Sequence, residues 1–269
     1  MTSSRDILLV GCGNMGQALL TGWLAEGRDP ERVQVVDPSP DAVSAARELN
    51  IDAFESLSAA KMPVDIVLLA VKPQQLEAVL PPYRELAGSG AVFLTIAAGR
   101  PIEFYEQALG GEPAIVRGMP NTPAAIRQGM TVLSANAAVS DDQRALCESL
   151  MGAVGEVAWI VDEETMDAVT AVSGSGPAYV FLLIECLADA AVSAGLDPEL
   201  ARRLAETTVA GAGAYAFVSE EESRELRRRV TSPGGTTEAA LDVLMRDEGL
   251  PALLRRAVRA AKERGRELA

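Results

Sequence analysis

The sequence has no histidine and only three cysteines, Cys12, Cys147 and Cys186, among its 269 residues. Without histidine, a Ser-His-Asp triad is excluded, and so are the common metal sites that use imidazole ligands. The cysteines are odd in number and far apart, which favours reduced structural thiols over a disulfide framework, and their spacing suits no metal. We therefore expect reduced cysteines and no metal site.

Positive charge is scarce as well. The chain has 24 lysine and arginine residues but 38 aspartate and glutamate residues, which gives a formal net charge of −14. Nucleic acid and anionic membranes would repel such a chain, so neither is expected as a partner. No secretory leader is expected, and the longest apolar stretch, 177–194, is interrupted by Glu185 and Asp189. These features favour a cytoplasmic protein, in which an anionic small substrate would need a locally positive pocket.

Short apolar runs alternate with amphipathic segments through the first part of the chain. Near-continuous apolar runs are typical of parallel strands covered on both faces, and they predict strands at 7–10, 33–36, 65–71, 91–96, 114–119, 130–134 and 156–161. Helical periodicity predicts helices at 15–26, 40–49, 74–87, 102–109 and 141–154. This series indicates an α/β fold with a Rossmann-type doubly wound sheet.

The strand pattern disappears after Asp162, and the rest of the chain predicts helices at 163–172, 177–194, 197–219, 222–229, 236–247 and 250–266. We expect a Rossmann-type domain over 1–162 and an all-α domain over 163–269. Helix 177–194 is apolar on nearly every face, and residues 209–217 are rich in alanine and glycine. Because a helical domain of this size cannot cover such surfaces alone, we predict an interlocked homo-oligomer.

The stretch GCGNMG (11–16) follows a predicted strand and opens a predicted helix, the context in which the G-x-G-x-x-G pattern is informative. Gly11 would allow the tight turn, Gly13 the approach of a pyrophosphate, and Gly16 the close packing of helix on strand. The helix N-terminus favours an anion. A turn without a ligand is the alternative, but Asp37 at the end of the next strand favours a dinucleotide.

Asp37 lies where a carboxylate usually binds the ribose hydroxyls of the adenosine, which favours NADH because the carboxylate would repel the phosphate of NADPH. Ser39 could accept that phosphate, but the DPSPDA segment has no arginine or lysine beside it. The cofactor is therefore predicted to be NAD(P)H, with NADH favoured. Initiation of a turn before Pro38 is the alternative role of Asp37.

Three further loops follow predicted strands: AVKP (70–73), IAAG (96–99) and MPNTP (119–123). In an open α/β sheet the ligand lies beyond the carboxyl ends of the strands, so we place these loops around a nicotinamide ring, although each could be a purely structural turn. The cofactor contacts predicted in these loops and in the glycine loop are Asn14, Met15, Val71, Lys72, Pro73, Ala97, Ala98 and Asn121.

The stretch VTSPGGTT (230–237) interrupts the predicted helices. Its proline ends the preceding segment, and Gly234 and Gly235 leave N–H groups unobstructed ahead of a helix that begins at Thr236. Such a helix start can bind a carboxylate without a cationic side chain, as an acidic protein requires. A plain connection between helices is the alternative, and the SGSGPAY turn (173–179) is equally compatible with a ligand contact or a simple helix start.

The chain contains, in this order, the motifs GCGNMG, AVKP, IAAG, MPNTP, DAVTAVSGSGPAYVF and VTSPGGTT. In the order and spacing of these motifs, it resembles the pyrroline-5-carboxylate reductases over almost its whole length. The resemblance implies NAD(P)H-dependent reduction of 1-pyrroline-5-carboxylate to L-proline, the last step of proline biosynthesis. It also implies a helical domain that intertwines into a homodimer, with dimers often assembled into rings. Substrate contacts carried over from the family fall at Glu163, Glu220, Thr236 and Thr237, although the segment around Glu220 departs from the commoner pattern.

Thr237 is the expected catalytic residue. Hydride addition needs a protonated or polarised imine, and the chain has no histidine to supply a proton at neutral pH. A threonine hydroxyl is too weak an acid to act unaided, so we expect Thr237 to hold the ring nitrogen and relay a proton from water, with Glu163 or Glu220 stabilising the iminium charge. Helix capping alone is the alternative role.

Two other functions would require different residues in the second half of the chain. A β-hydroxyacid dehydrogenase depends on a helical lysine, whereas the second half of the chain contains only Lys262. A cofactor-sensing relative that has lost the reaction would be expected to lose the SPGGTT turn, which this chain retains. Both features favour a reductase.

Overall fold

The computed structural model describes residues 6–268, and its first part contains an eight-stranded sheet in the order β3-β2-β1-β4-β5-β6-β7-β8. The strands are β1 (Ile7–Val10), β2 (Val33–Val36), β3 (Asp52–Phe54), β4 (Ile66–Leu69), β5 (Val92–Thr95), β6 (Ala114–Met119), β7 (Gly129–Ala135) and β8 (Gly155–Trp159). Adjacent strands are parallel except β6 and β7, which pair antiparallel. The predicted Rossmann-type doubly wound sheet is confirmed.

Helices follow most of the strands and then form the rest of the chain. The helices are α1 (Asn14–Ala25), α2 (Pro40–Glu48), α3 (Leu76–Val79), α4 (Arg84–Ala87), α5 (Ile102–Leu109), α6 (Asp141–Gly152), α7 (Met166–Val169), α8 (Gly176–Ser193), α9 (Pro198–Val218), α10 (Ser223–Arg229), α11 (Thr236–Leu244) and α12 (Leu250–Leu268). Short 3₁₀ turns lie at Pro30–Arg32, Leu57–Ala59, Pro73–Gln75, Pro81–Tyr83, Thr122–Ile126 and Glu163–Thr165, and a π-helical turn lies at Thr170–Gly174.

Alternate residues of the central strands are buried on opposite faces of the sheet. Ile7 and Leu9 of β1 belong to the apolar cluster that includes side chains of α1, α2 and α6. Leu8 and Val10 belong to a second cluster, with side chains of α3 and α5. Each fully buried large apolar side chain contributes about 1.5–3 kcal/mol, so both faces stabilise the sheet and leave its strand ends as a fixed frame for loops.

One predicted helix was wrong, and one strand was not predicted. The continuous helix expected over 74–87 is divided into 3₁₀ turns and the short helices α3 and α4. Pro81 and Pro82 cause this division, since proline lacks an N–H donor and its ring clashes with the preceding turn. Strand β3 was missed because it has only three residues and begins with the exposed Asp52, which leaves no apolar run to detect.

The chain divides into two compact units. One comprises the described residues up to Gly174 together with the end of α12 from Lys262, and the other comprises Ser175–Ala261. Residues 163–174 thus belong to the first unit by their contacts within one chain, and the domain boundary at Asp162 stays a prediction. Met166 and Ala171 are buried in the first unit, and the carboxylate of Glu163 accepts a hydrogen bond from the N–H of Ile102, so residues 163–174 pack with the sheet although they are helical.

The second unit buries few of its own side chains. Within residues 175–261 the buried side chains are Ala201 and Ala205 of α9. Large apolar side chains of α8 are exposed, namely Val180, Phe181, Leu182, Leu183, Leu187 and Val192. The helical segment Glu163–Ser193, which includes α8, contains an 18-residue window with a mean hydropathy of 1.5, so it is long and apolar enough to cross a membrane by length and composition alone. This unit thus presents an apolar surface that one chain leaves largely uncovered.

Candidate functional site

The glycine loop between β1 and α1 has the geometry expected of a phosphate-binding turn. Gly11 has a φ of 89°, and a Cβ atom there would lie 2.8 Å from the carbonyl oxygen of Ala70. A Cβ atom on Gly16 would lie 2.5 Å from the carbonyl oxygen of Gly11, whereas one on Gly13 would meet nothing within 4 Å. Gly11 and Gly16 are therefore required by the fold itself, and Gly13 borders open space through which a ligand can approach.

The N-terminus of α1 is suited to an anion. Gly13 is the N-cap residue and provides no capping side chain, and the first turn contains no acidic residue. Asn14 is exposed and Met15 is partly buried against the apolar cluster. The free N–H groups and the positive end of the helix dipole thus face outward without a competing carboxylate from the same helix.

Asp37, at the end of β2, holds the glycine loop in place. Its Oδ2 accepts a hydrogen bond of 2.7 Å from the N–H of Cys12, and its Oδ1 accepts one of 2.8 Å from the N–H of Ser39. Burial, with a smaller contribution from the charge of Asp37, raises the pKa of the Cys12 thiol to about 11. Cys12 is therefore protonated at neutral pH, in keeping with a structural thiol. Ser39 is the exposed N-cap residue of α2, and its hydroxyl makes no capping hydrogen bond.

The predicted strand-end loops lie at the same edge of the sheet as the glycine loop, because β1, β4, β5 and β6 are parallel. Val71 contacts this loop directly, since its Cγ1 would be 2.9 Å from a Cβ atom on Gly11. Lys72 and Ala98 are exposed, Pro73 is partly exposed, and Ala97 is buried with its N–H 3.4 Å from the Thr95 hydroxyl. The structure thus brings the loops after β1 and β4 together.

Asn121 has structural contacts that the sequence did not indicate. Its Oδ1 accepts a hydrogen bond of 2.9 Å from the N–H of Met130, and its Nδ2 donates to the carbonyl oxygen and hydroxyl of Ser173 at 3.2 and 3.3 Å. The side chain therefore connects the MPNTP loop to the π-helical turn Thr170–Gly174 of the same unit. A contact with the cofactor remains a prediction for this residue.

Arg117 is a buried cation that sequence reasoning did not select. It lies on β6, its side chain is 7% exposed, and its Nη1 donates a hydrogen bond of 2.8 Å to Oε1 of Glu163. The same oxygen accepts a hydrogen bond of 2.9 Å from the N–H of Ile102, in the first turn of α5. The pair thus fixes the Glu163 carboxylate against the sheet. The sequence does contain one indication of a buried cation, namely the single arginine within the apolar run AIVRGM.

The second unit contains the remaining predicted substrate residues. Glu220 is exposed in the loop after α9, and Gly234, with a φ of 71°, adopts the left-handed conformation ahead of α11. Gly235 is the N-cap residue of α11, and Thr236 and Thr237 form its first turn. Oε2 of Glu238 accepts a hydrogen bond of 2.6 Å from the N–H of Gly234. In this structure, therefore, the Gly234 N–H predicted to bind a substrate carboxylate contacts Glu238.

Comparison with known proteins covers both units. The family described as "Pyrroline-5-carboxylate reductase dimerisation" matches residues 163–268, and the family described as "NADP oxidoreductase coenzyme F420-dependent" matches residues 6–99. A pyrroline-5-carboxylate reductase of Pseudomonas aeruginosa is 44% identical over 268 residues, which cover 99% of this chain and 98% of that protein.

Solved structures agree with the sequence relatives. The structure of a pyrroline-5-carboxylate reductase from Coxiella burnetii is 39% identical, with a TM-score of 0.95 over 99% of both chains. A Plasmodium falciparum pyrroline carboxylate reductase with NADP bound is 29% identical, with a TM-score of 0.85 over 98% of both chains. Given this identity over nearly the full length of its relatives, the chain belongs to the pyrroline-5-carboxylate reductase family.

Proposed function

We propose that this protein uses NAD(P)H to reduce 1-pyrroline-5-carboxylate to L-proline, the last step of proline biosynthesis. The observation that carries the proposal is the 44% identity to the Pseudomonas aeruginosa reductase over 99% of the chain. The phosphate-binding geometry of the glycine loop and the glycine-rich start of α11 support it, because they offer separate places for a dinucleotide and for a small carboxylate.

The residues of the first unit fit a dinucleotide, since a Cβ atom at Gly13 would enter the space that ligand phosphates require. When bound, the nicotinamide supplies a hydride to the carbon of the C=N bond, while the nitrogen takes up a proton. We assign the pyrophosphate to the glycine loop and the nicotinamide to the loops containing Lys72, Ala98 and Asn121. Orientation of the two reactants would provide most of the acceleration, because an iminium carbon is already electrophilic.

The substrate carboxylate is assigned to the N–H groups at the start of α11, where the helix dipole favours an anion. We assign to the Thr237 hydroxyl a hydrogen bond with the ring nitrogen, through which it relays a proton from water. Glu163 or Glu220 is assigned to the positive charge of the iminium. For Glu163, Arg117 and the Ile102 N–H both bind Oε1, and we assign this role to Oε2.

NADH is proposed as the preferred cofactor. Asp37 ends β2 where the adenosine ribose binds in this fold, and its carboxylate would repel a ribose phosphate. Neither Arg nor Lys stands near Ser39 in the segment DPSPDA to offset that repulsion.

We also propose a cytoplasmic homodimer, formed through the second unit, with further assembly into a ring of dimers. The apolar side chains of α8 need a cover, and a second copy of the chain is favoured over a membrane because the match to residues 163–268 is to a dimerisation region. The net charge of −14 also opposes contact with anionic lipid or nucleic acid.

The proposal is tested by mixing the purified protein with NADH or NADPH and 1-pyrroline-5-carboxylate. We expect cofactor oxidation, followed by absorbance, to equal the L-proline formed, measured by amino-acid analysis. A folded protein that binds the cofactor but forms no proline would contradict the proposal and favour a cofactor-sensing role.

A further inference from the structure

The start of α11 already contacts a carboxylate that belongs to the protein. Glu238, the third residue of this helix, places Oε2 2.6 Å from the N–H of Gly234. The N–H of Gly235 donates to the carbonyl oxygen of Ser232 at 3.0 Å. Of the N–H groups assigned to the substrate, those of Thr236 and Thr237 therefore remain for an incoming anion, while Gly234 is engaged by Glu238.

Glu238 and the substrate carboxylate carry the same charge and suit the same donors. The side chain of Glu238 is exposed. Water and salt therefore weaken the repulsion between the two carboxylates, but they do not abolish it when both lie at the start of the same helix. We propose that Glu238 competes with the substrate carboxylate at the start of α11 and so weakens the binding of both substrate and product. This inference rests on the proposed function, which assigns the substrate carboxylate to these N–H groups.

Glu238→Gln separates charge from hydrogen bonding, because the amide oxygen of glutamine can accept the same hydrogen bond from Gly234 without a negative charge. Its KM for 1-pyrroline-5-carboxylate should fall about three- to tenfold at low ionic strength, as expected for the loss of one screened like charge a few ångströms away. The inhibition constant of L-proline should fall by a similar factor. Both differences should shrink as salt is added.

Asp242→Asn is the matched control. Asp242 is exposed on the same helix, one turn farther from the N-terminus, and its substitution changes the net charge by the same amount. Its KM should stay within twofold of the wild type. Glu238→Ala supplies a second comparison, because it also releases the Gly234 N–H. If Glu238 competes with the substrate, KM falls in both Glu238 variants; if Glu238 only shapes the turn, KM rises in Glu238→Ala.

The experiment measures steady-state kinetics for the four proteins at two ionic strengths, with melting temperatures to verify that each is folded. A KM in Glu238→Gln that equals that of Asp242→Asn, or a raised KM in Glu238→Ala, would overturn the inference while leaving proline formation by the wild type intact. A wild type that forms no proline would instead show that the proposed function itself is wrong, and with it the assignment of a substrate carboxylate to α11.

Discussion

Replacement of Gly13 by alanine should affect cofactor binding without harming the fold. Gly13 has a φ of −72° and a ψ of −163°, which alanine can adopt, and the added Cβ would meet no protein atom within 4 Å. The free energy of unfolding should therefore stay equal or rise by about 0.4–1 kcal/mol, because alanine reduces the freedom of the unfolded chain. The new methyl group would occupy the space through which the pyrophosphate approaches. The Kd for NAD(P)H should therefore rise at least about tenfold, which corresponds to a loss of about 1.4 kcal/mol of binding free energy.

Gly16→Ala is the contrasting variant. Its Cβ would lie 2.5 Å from the carbonyl oxygen of Gly11, about 0.9 Å closer than the 3.4 Å at which ordinary contact begins. Because the obstructing atom is backbone, the loop or the helix must shift, and we expect a loss of about 1–3 kcal/mol of stability. Chemical denaturation gives the free energies of unfolding, and titration of NAD(P)H fluorescence gives the Kd values. A Gly13→Ala protein that binds the cofactor as tightly as the wild type would refute the assignment of this loop to the pyrophosphate.

The remaining predictions concern specificity, catalysis, the buried ion pair and assembly. The wild type should show a higher kcat/KM with NADH than with NADPH, and Asp37→Ala should reduce that ratio; a tenfold wild-type preference for NADPH, about 1.4 kcal/mol, would contradict this. Thr237→Ala should lower kcat/KM about ten- to a thousandfold with cofactor binding intact, and Thr237→Ser should recover much of it, whereas a lower melting temperature with normal turnover would indicate a helix cap instead. Arg117→Met should destabilise the protein toward the lower end of about 3–5 kcal/mol, because its partner Glu163 is 26% exposed, and a loss below about 1 kcal/mol in chemical denaturation would be inconsistent with this pairing. Light scattering should show a dimer that Phe181→Glu dissociates, and a folded, active wild-type monomer would disprove the dimer.

Elements with a strong local pattern could be predicted from the sequence. The predicted bounds of β1, β2, β6 and α5 coincide with those of the structure, because each is a near-continuous apolar run or a clear amphipathic period between turn residues. The packing of residues 163–174 was less predictable. Residues 163–174 have a helical sequence, yet they pack with the sheet through contacts such as that of Glu163 with Ile102, which no local pattern encodes.

The candidate site shows the same distinction between local and distant information. The geometry of Gly11, Gly13 and Gly16 follows from a six-residue motif whose steric requirements are local. The pairing of Arg117 with Glu163 joins residues 46 positions apart, and its existence depends on the sheet order and on the path of the chain after β8. Such contacts arise from topology, so the sequence could at most indicate that a buried arginine needs a partner.

The double contact of Asp37 has a consequence for how cofactor preference can change, in evolution or by design. Both carboxylate oxygens bind main-chain N–H groups, one in the glycine loop and one at Ser39. Replacing Asp37 to admit a phosphate would therefore remove a support of the loop that we assign to the pyrophosphate. A cationic side chain introduced near Ser39, with Asp37 retained, would alter the charge while preserving the loop. A change of preference between NADH and NADPH should thus be easier through substitutions of the exposed residues at the start of α2 than through substitution of Asp37.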